Sequence, residues 1–252
     1  MKLAERIAKL ALALGLATAL SGEAKAGDIF IGARGPTNWQ LDGRVGYSRN
    51  EKGVEAVTNN LILKYWDGDS IGKWAFVNLP YKFVSSAGES DNGIGDVSIG
   101  AGPRGRIGDA HLLPYISLTL PTGDSRGKIA IGNGRYDTKI GVNATYLTQD
   151  KNLEIDASLD YNFSGENKKG ANPPDEFSFG LLGGGKVTEK VRFATGIAGL
   201  VKEDGSHVVN SRSVARYTVS PSLHFEAVGE VGIQSRDIPR GVGGGIFARY
   251  NF

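Results

Sequence analysis

A glycine-rich run at positions 100–105 is the first feature of the sequence that could do chemistry. Gly100-Ala-Gly-Pro-Arg-Gly105 satisfies the G-x-G-x-x-G pattern with which a dinucleotide-binding turn approaches a pyrophosphate. That turn must open a helix whose N-terminus receives the phosphate, whereas Pro103 and Gly105 lead into a turn. Because the chain has 37 glycines, a chance match is the better explanation, and no nucleotide site is predicted.

The histidines are the second such feature, and the chain has 3 of them: His111, His207 and His224. His224 could pair with Ser213 or Ser222 on a neighbouring strand, as the base and nucleophile of a barrel hydrolase do. A histidine so close to Glu226 is more simply a structural hydrogen-bond partner. No metal-ligand spacing occurs, and the absence of cysteine excludes thiolate zinc sites. The sequence therefore predicts no catalytic residue, no metal, no cofactor and no enzyme.

The third feature is a set of ionised side chains that alternate with apolar ones. The stretch from Leu153 to Phe163 reads Leu-Glu-Ile-Asp-Ala-Ser-Leu-Asp-Tyr-Asn-Phe, which is the period-2 pattern of a strand. In a soluble sandwich its apolar face would meet a core and its acids would face water. In a membrane barrel the apolar face would meet lipid and the acids would point into a wet interior. This strand alone fits both folds.

The N-terminus predicts export. Residues 1–26 have a basic start, an apolar run from Leu10 to Leu20 and a small-x-small site at Ala24-Lys25-Ala26, as in a cleaved signal peptide. The alternative is an amphipathic N-terminal helix of a soluble protein. Beyond Leu20 no apolar segment reaches ten residues, so only a closed barrel could span a membrane. With 29 basic and 27 acidic residues, nucleic acid is not an expected partner.

Residues 27–252 predict one all-β domain of about twelve antiparallel strands. Short connections alternate with longer polar ones at 84–94, 121–134, 164–176 and 202–211. Short turns at one rim and long loops at the other are typical of bacterial outer-membrane barrels. We therefore expect a transmembrane β-barrel in the outer membrane, with apolar faces turned to lipid and both termini at the periplasmic rim. The remaining alternative is a secreted sandwich.

Turning the apolar faces outward places ionised side chains inside. The predicted pore-lining residues are Asp96, Arg135, Asp137, Lys139, Glu154, Asp156, Asp160, Arg192, Arg212, Arg216, His224, Glu226, Glu230 and Arg249. The polar, glycine-rich loop 121–134 supplies the predicted constriction residues, which are Thr122, Asp124, Arg126 and Lys128. These charges could leave a hydrated path for a solute, or they could pair into struts that brace the barrel.

Three segments carry a resemblance to a known family. They are Gly-Ile-Gly-Asp-Val-Ser-Ile-Gly (93–100), Pro-Tyr-Ile-Ser-Leu-Thr-Leu-Pro-Thr-Gly-Asp (114–124) and Gly-Asn-Gly-Arg-Tyr-Asp (132–137). They resemble the outer-membrane family of the MetA pathway of phenol degradation, although Asn133 stands where serine or threonine is expected. The resemblance implies an outer-membrane barrel that passes small, often aromatic or apolar, compounds. It brings no catalytic residues to this chain.

The functional prediction is a passive outer-membrane channel or transporter for small molecules. Twelve strands lie between eight, whose interior side chains can fill, and sixteen, which leave an open channel, so we expect a narrow pore. The expected partners are membrane lipid and a small solute. The alternative is a structural or interaction barrel with a salt-bridged, closed interior and partner-binding extracellular loops. The solute, the oligomeric state and the position of loop 121–134 stay open at this point.

Overall fold

A computed structural model describes residues 38–67, 72–124, 129–150, 152–166 and 173–252, and its regular elements are all strands. The predicted leader, the start of the predicted barrel domain, Arg126 and Lys128 lie outside the described residues. The strands are β1 (Asn38–Asn50), β2 (Glu55–Asp67), β3 (Gly72–Ser86), β4 (Glu89–Ile94), β5 (Val97–Ile107), β6 (Ala110–Leu120), β7 (Asp137–Leu147), β8 (Leu153–Ser164), β9 (Glu176–Lys186), β10 (Val191–Lys202), β11 (His207–Ser220), β12 (Leu223–Arg236) and β13 (Gly241–Asn251). No helix among the described residues is long and apolar enough to cross a bilayer.

The sheet closes on itself. Each strand from β5 to β12 pairs with its neighbours in the barrel, β3 pairs with both β2 and β5, and β1 pairs with both β2 and β13. All of these pairings are antiparallel. Closure leaves the barrel without a free edge, which is what a sheet in hydrocarbon requires.

The short strand β4 and the strand β5 that follows it occupy one position in the barrel wall. Tyr81 of β3 faces Ile94, whereas Asn78 faces Ser98, so the register slips by one residue at Gly95–Asp96. This slip is a β-bulge in one interrupted strand. Of the 13 strands in the sheet, 12 therefore form the wall, as the sequence predicted.

The prediction of a long loop at 84–94 is wrong. The segment is a hairpin in which β3 and β4 meet through Ala87 and Gly88, both of which have positive φ. Two such residues make the tight turn that suits the twist of paired strands. After the bulge, β5 continues to Ile107 before a turn at Gly108.

The predicted loop 202–211 is wrong as well. β10 ends at Lys202 and β11 begins at His207, and Val208 pairs with Leu200. A polar residue such as Asn210 continues the strand because one face of a barrel strand can face a wet interior. The predicted difference in connection length between the two rims is still present. At one rim, long connections join β6 to β7 (121–136) and β8 to β9 (165–175). At the other rim, tight turns join β5 to β6 (108–109) and β11 to β12 (221–222).

The apolar side chains of the barrel face outward and the ionised ones face inward, as predicted. Leu159 of β8 is 50% exposed, whereas the next residue of the strand, Asp160, is 4% exposed. Ile140 and Phe193 are exposed on the same outer surface. Aromatic pairs such as Tyr161–Phe163 and Tyr250–Phe252 lie at strand ends, where interfacial girdles belong. A closed antiparallel barrel with an even strand count and an apolar exterior is a transmembrane barrel of the outer-membrane type.

This exterior predicts a depth-dependent effect of charge. We expect Leu159→Arg, near the middle of β8, to lower the free energy of unfolding from lipid vesicles by about 2–4 kcal/mol, because the cation must enter hydrocarbon. Leu153→Arg lies on the same face at the end of the strand and should cost only about 0–1 kcal/mol, which makes it the matched control. Urea titration followed by tryptophan fluorescence measures both. Equal losses at the two positions would contradict the lipid-facing assignment.

Candidate functional site

A chain of ion pairs follows the inner wall near the rim of tight turns. The Nζ of Lys64 lies 2.9 Å from Oδ2 of Asp42, and the Nε of Arg249 lies 3.0 Å from Oδ1 of the same carboxylate. Arg249 also reaches Glu226 at 3.3 Å, and Glu226 accepts from Nε of Arg216 at 2.6 Å. This ion chain joins β2, β1, β13, β12 and β11. It contains three of the predicted pore-lining residues, Arg216, Glu226 and Arg249.

Strand β8 carries three buried carboxylates on the inner face, all of them predicted pore-lining residues. Glu154 pairs with Arg192 at 2.7 Å across the intervening strand β9. Asp156 accepts from the hydroxyl of Thr145 at 2.6 Å. Asp160 accepts from the hydroxyl of Tyr115, which comes from β6. The three acids therefore each have a separate partner on a different strand.

The Tyr115–Asp160 contact depends on a glycine between them. Gly141 of β7 faces Tyr115 on one side and Asp160 on the other. A Cβ at position 141 would collide with the Asp160 carboxylate and the Tyr115 ring. Glycine therefore lets the tyrosine lie flat across β7 and reach the second strand over.

The remaining predicted pore-lining residues of the wall are more dispersed. Arg212 pairs with Glu230 across β11 and β12. The Nδ1 of His224 lies 3.2 Å from the hydroxyl of Thr218, so its nearest hydroxyl partner is a threonine of the facing strand. Lys139 is half-buried and stands opposite Asn162 of β8.

Two apolar patches also lie on the inner face, and the sequence did not indicate them. Leu182, Ala194, Val214 and Val228 form one patch across β9 to β12. Trp66, Trp74, Leu113, Phe76 and Tyr115 form the other, across β2, β3 and β6. The interior is therefore only partly polar, and it offers apolar contact surface next to charged groups.

Asp96, one of the predicted pore-lining residues, holds the loop between β6 and β7. Its Oδ1 accepts from the backbone N–H of Gly123 at 2.9 Å, and its Oδ2 accepts from the N–H of Asn133. The bulge at Gly95–Asp96 turns this carboxylate toward the loop. Ile131 of the same loop is buried, and a Cβ at Gly93 would lie 3.8 Å from it. The loop is thus folded into the mouth of the barrel.

A second buried carboxylate, Asp137, holds the end of this loop. It accepts from Nε of Arg135 at 2.6 Å, from the side-chain amide of Asn133 and from the N–H of Gly165. At the other end, the hydroxyl of the predicted constriction residue Thr122 bridges the carbonyl of Gly95 and the N–H of Val97. These contacts fasten both bases of the loop to the wall.

Asp124, another predicted constriction residue, acts through its backbone. Its carbonyl accepts from the N–H groups of Ile131 and Gly132 at 2.8 and 3.0 Å. This pair of hydrogen bonds closes the loop on itself and brings Ile131 against the wall. Sequence reasoning missed the buried Ile131, because a lone apolar residue in a glycine-rich loop carries no period.

A cavity of about 390 Å³ opens beside the folded loop at the rim of the longer connections. Ile131 and Asn133 of the loop border it on one side, with Lys82 of β3 and Asn210 of β11 from the wall. Of the predicted pore-lining residues, Glu230 borders it. Its lining combines charged, amide and aliphatic groups, as small-molecule sites do.

Several interior residues were not among the predicted pore-lining set. Asp42 and Gln40 are buried in β1, and Lys64 and Arg104 are buried in β2 and β5. The alternation in β1 could have indicated Gln40 and Asp42, because Trp39, Leu41, Val45 and Tyr47 define the opposite face. Arg104 lies between Pro103 and Gly105, which interrupt the pattern. Lys64 shares its face with the apolar residues Ile62 and Trp66, so that face does not read as polar.

The fold is shared with solved outer-membrane proteins. An outer-membrane channel from Pseudomonas putida F1 has a TM-score of 0.73 at 16% sequence identity, with 91% of this chain and 100% of that chain covered. The NanC porin has a TM-score of 0.58 at 13% identity, with 84% and 100% covered. The CymD monoaromatic hydrocarbon channel has a TM-score of 0.53 at 8% identity, with 86% and 89% covered. At these identities the likeness is one of fold.

No curated protein sequence matches the chain. The family model described as "Putative MetA-pathway of phenol degradation" matches residues 58–250. This range runs from β2 to the last strand, and it includes all three segments on which the resemblance was recognised. The protein therefore belongs to the family of the MetA pathway of phenol degradation.

Proposed function

We propose that the protein is a passive outer-membrane channel for small molecules, including aromatic or apolar ones, and that it has no catalytic activity. The observation that carries this proposal is the cavity beside the loop at the mouth of the barrel. A loop whose bases are held by Asp96 and Asp137 lies beside a solute-sized cavity, and this arrangement supports a selective channel. The predicted leader 1–26 would direct export, leaving 27–252 as the barrel.

The interior chemistry supports small amphipathic solutes. Charged pairs such as Arg212–Glu230 can orient a polar group, while the inward patch around Leu182 and Val214 offers apolar contact. A solute with a polar end and an apolar body would meet both surfaces. Among proteins that share the fold, NanC is described as a porin and CymD as a monoaromatic hydrocarbon channel, which favours passage of small molecules here.

Reconstitution of the protein without its predicted leader, residues 27–252, tests the proposal. In planar bilayers we expect discrete ionic conductance steps, and in liposomes we expect swelling with sodium benzoate and with a pentose. Both solutes carry polar groups that slow their passage through the lipid itself. Folding is checked by the shift in electrophoretic mobility that heating causes. Folded protein that gives neither conductance nor swelling would overturn the channel assignment.

A structural or interaction barrel is the second candidate. The ion chain from Lys64 to Arg216 favours it, because its members are fully or partly buried and bind one another. In that case the extracellular connections 121–136 and 165–175 would contact a partner. Absence of conductance together with a retained, very stable fold would support this candidate over the channel.

A further inference from the structure

Four aromatic side chains form a continuous row on the inner wall. The Trp66 and Trp74 rings stack with centroids 5.5 Å apart, and Trp74 stacks on Phe76 at 5.3 Å. The Tyr115 ring meets Trp74 edge to face at 5.8 Å. We call these four residues the aromatic row. It crosses from β2 over β3 to β6, with Gly102 of β5 opposite Trp74.

The row joins the charged part of the wall at both ends. Tyr115 continues it to Asp160 through its hydroxyl. At the other end Lys64, two residues before Trp66 on the same face, begins the ion chain. The guanidinium of Arg104 lies 5.3 Å from the centre of the Trp66 ring. An apolar, π-rich surface is thus placed between ionised groups.

Two hydrogen-bond donors of the row lack acceptors. Trp66 is 1% exposed and Trp74 is 7% exposed, yet neither indole N–H has a partner among the residues that the structure describes. Buried indole N–H groups normally find a partner, and leaving one unpaired is costly. Because the two tryptophans pack closely with each other, packing explains the rings but does not explain the unused donors.

We propose that the aromatic row is a binding site for a planar solute that carries an acceptor oxygen. This inference rests on the proposed channel function and names the solute class for it. The solute ring would stack on the partly buried faces of Phe76 and Tyr115. Its oxygen would accept from the enclosed indole N–H of Trp74 once the half-buried Phe76 ring moves aside. The positive charge of Arg104 favours an anionic oxygen, so benzoate is the suitable probe.

Fluorescence quenching tests the site independently of transport. The chain has 3 tryptophans, and Trp39 lies on the exposed outer face, so Trp39→Phe leaves Trp66 and Trp74 as the reporters. In this background we expect saturable quenching by benzoate, with weaker binding of cyclohexanecarboxylate, which has the same charge but no planar ring. Trp74→Phe keeps a ring and removes one donor, so it should weaken benzoate binding about five-fold.

Matched variants separate the site from general effects. Tyr65→Leu removes an outward aromatic side chain next to Trp66 and should leave benzoate binding unchanged. If Trp74→Phe does not fold, Phe76→Leu removes a half-buried ring of the row and should also weaken binding. Equal binding of the two carboxylates, or unchanged benzoate binding in Trp74→Phe and Phe76→Leu, would overturn the site. Benzoate binding without conductance would support the site and contradict the channel.

Discussion

Replacing Asp96 with alanine is expected to raise the single-channel conductance several-fold. The Asp96 carboxylate accepts from the backbone N–H groups of Gly123 and Asn133, and these two bonds hold the folded loop in the mouth. Hydrogen bonds to a charged group contribute about 1.5–3 kcal/mol each, so losing both removes about 3 kcal/mol or more. A loss of that size shifts a two-state loop equilibrium by about a hundred-fold.

Planar-bilayer recording measures this effect, and two further variants sharpen it. Asp96→Asn keeps an acceptor oxygen and should give an intermediate conductance. Asp91→Ala removes a nearby carboxylate whose hydrogen bond is to the N–H of Asn92, within β4, and should leave conductance unchanged. If Asp96→Ala folds and conducts like the unmodified protein, the loop is not held by this carboxylate.

A reversible cross-link provides a second test of the same loop. The chain has no cysteine, so a pair introduced at Gly93 and Ile131 would react without background. A Cβ at position 93 would lie 3.8 Å from the Cγ2 atom of Ile131, so side chains at the two positions are in contact. In the Asp96→Ala protein, oxidation of this pair should restore low conductance and reduction should raise it again.

Replacing Asp42 with alanine should destabilise the barrel more than any other single change to its charged wall. Asp42 is buried and accepts from Lys64, Arg249 and Arg44 at 2.9, 3.0 and 3.1 Å. Removing one member of a buried ion pair costs about 3–5 kcal/mol, because the opposite charge stays enclosed. We expect a decrease of about that size in the free energy of unfolding, measured by urea titration in lipid vesicles.

An exposed carboxylate is the matched control for Asp42. Glu55 lies 3.5 Å from Arg49 across β1 and β2, with both side chains exposed. Glu55→Ala should change stability by less than about 1 kcal/mol, because solvent screens such pairs. Asp42→Asn keeps the shape and removes the charge, and it should lose nearly as much as Asp42→Ala. Equal, small effects of all three substitutions would show that the ion chain contributes little to stability.

The predictions from the sequence were strongest where alternation was regular. The pattern from Leu153 to Phe163 indicated which side chains face lipid, and Leu159 and Asp156 lie as it required. Polarity was a weaker guide to loops. Residues 84–94 and 202–211 are polar yet mostly paired in strands, because a barrel strand with one wet face can be polar without leaving the sheet.

By itself the sequence determined the barrel, its strand count and the orientation of its two faces, because these depend on the local period of each strand and on the apolar surface that must meet lipid. Tertiary structure alone decided which inner residues touch. Tyr115 reaches Asp160 over Gly141, Arg192 reaches Glu154 across β9, and Asp96 holds a loop that begins far along the chain. Such contacts depend on barrel closure, the bulge at Gly95–Asp96 and the positions of small residues between long ones. None of these leaves a periodic signal in the sequence.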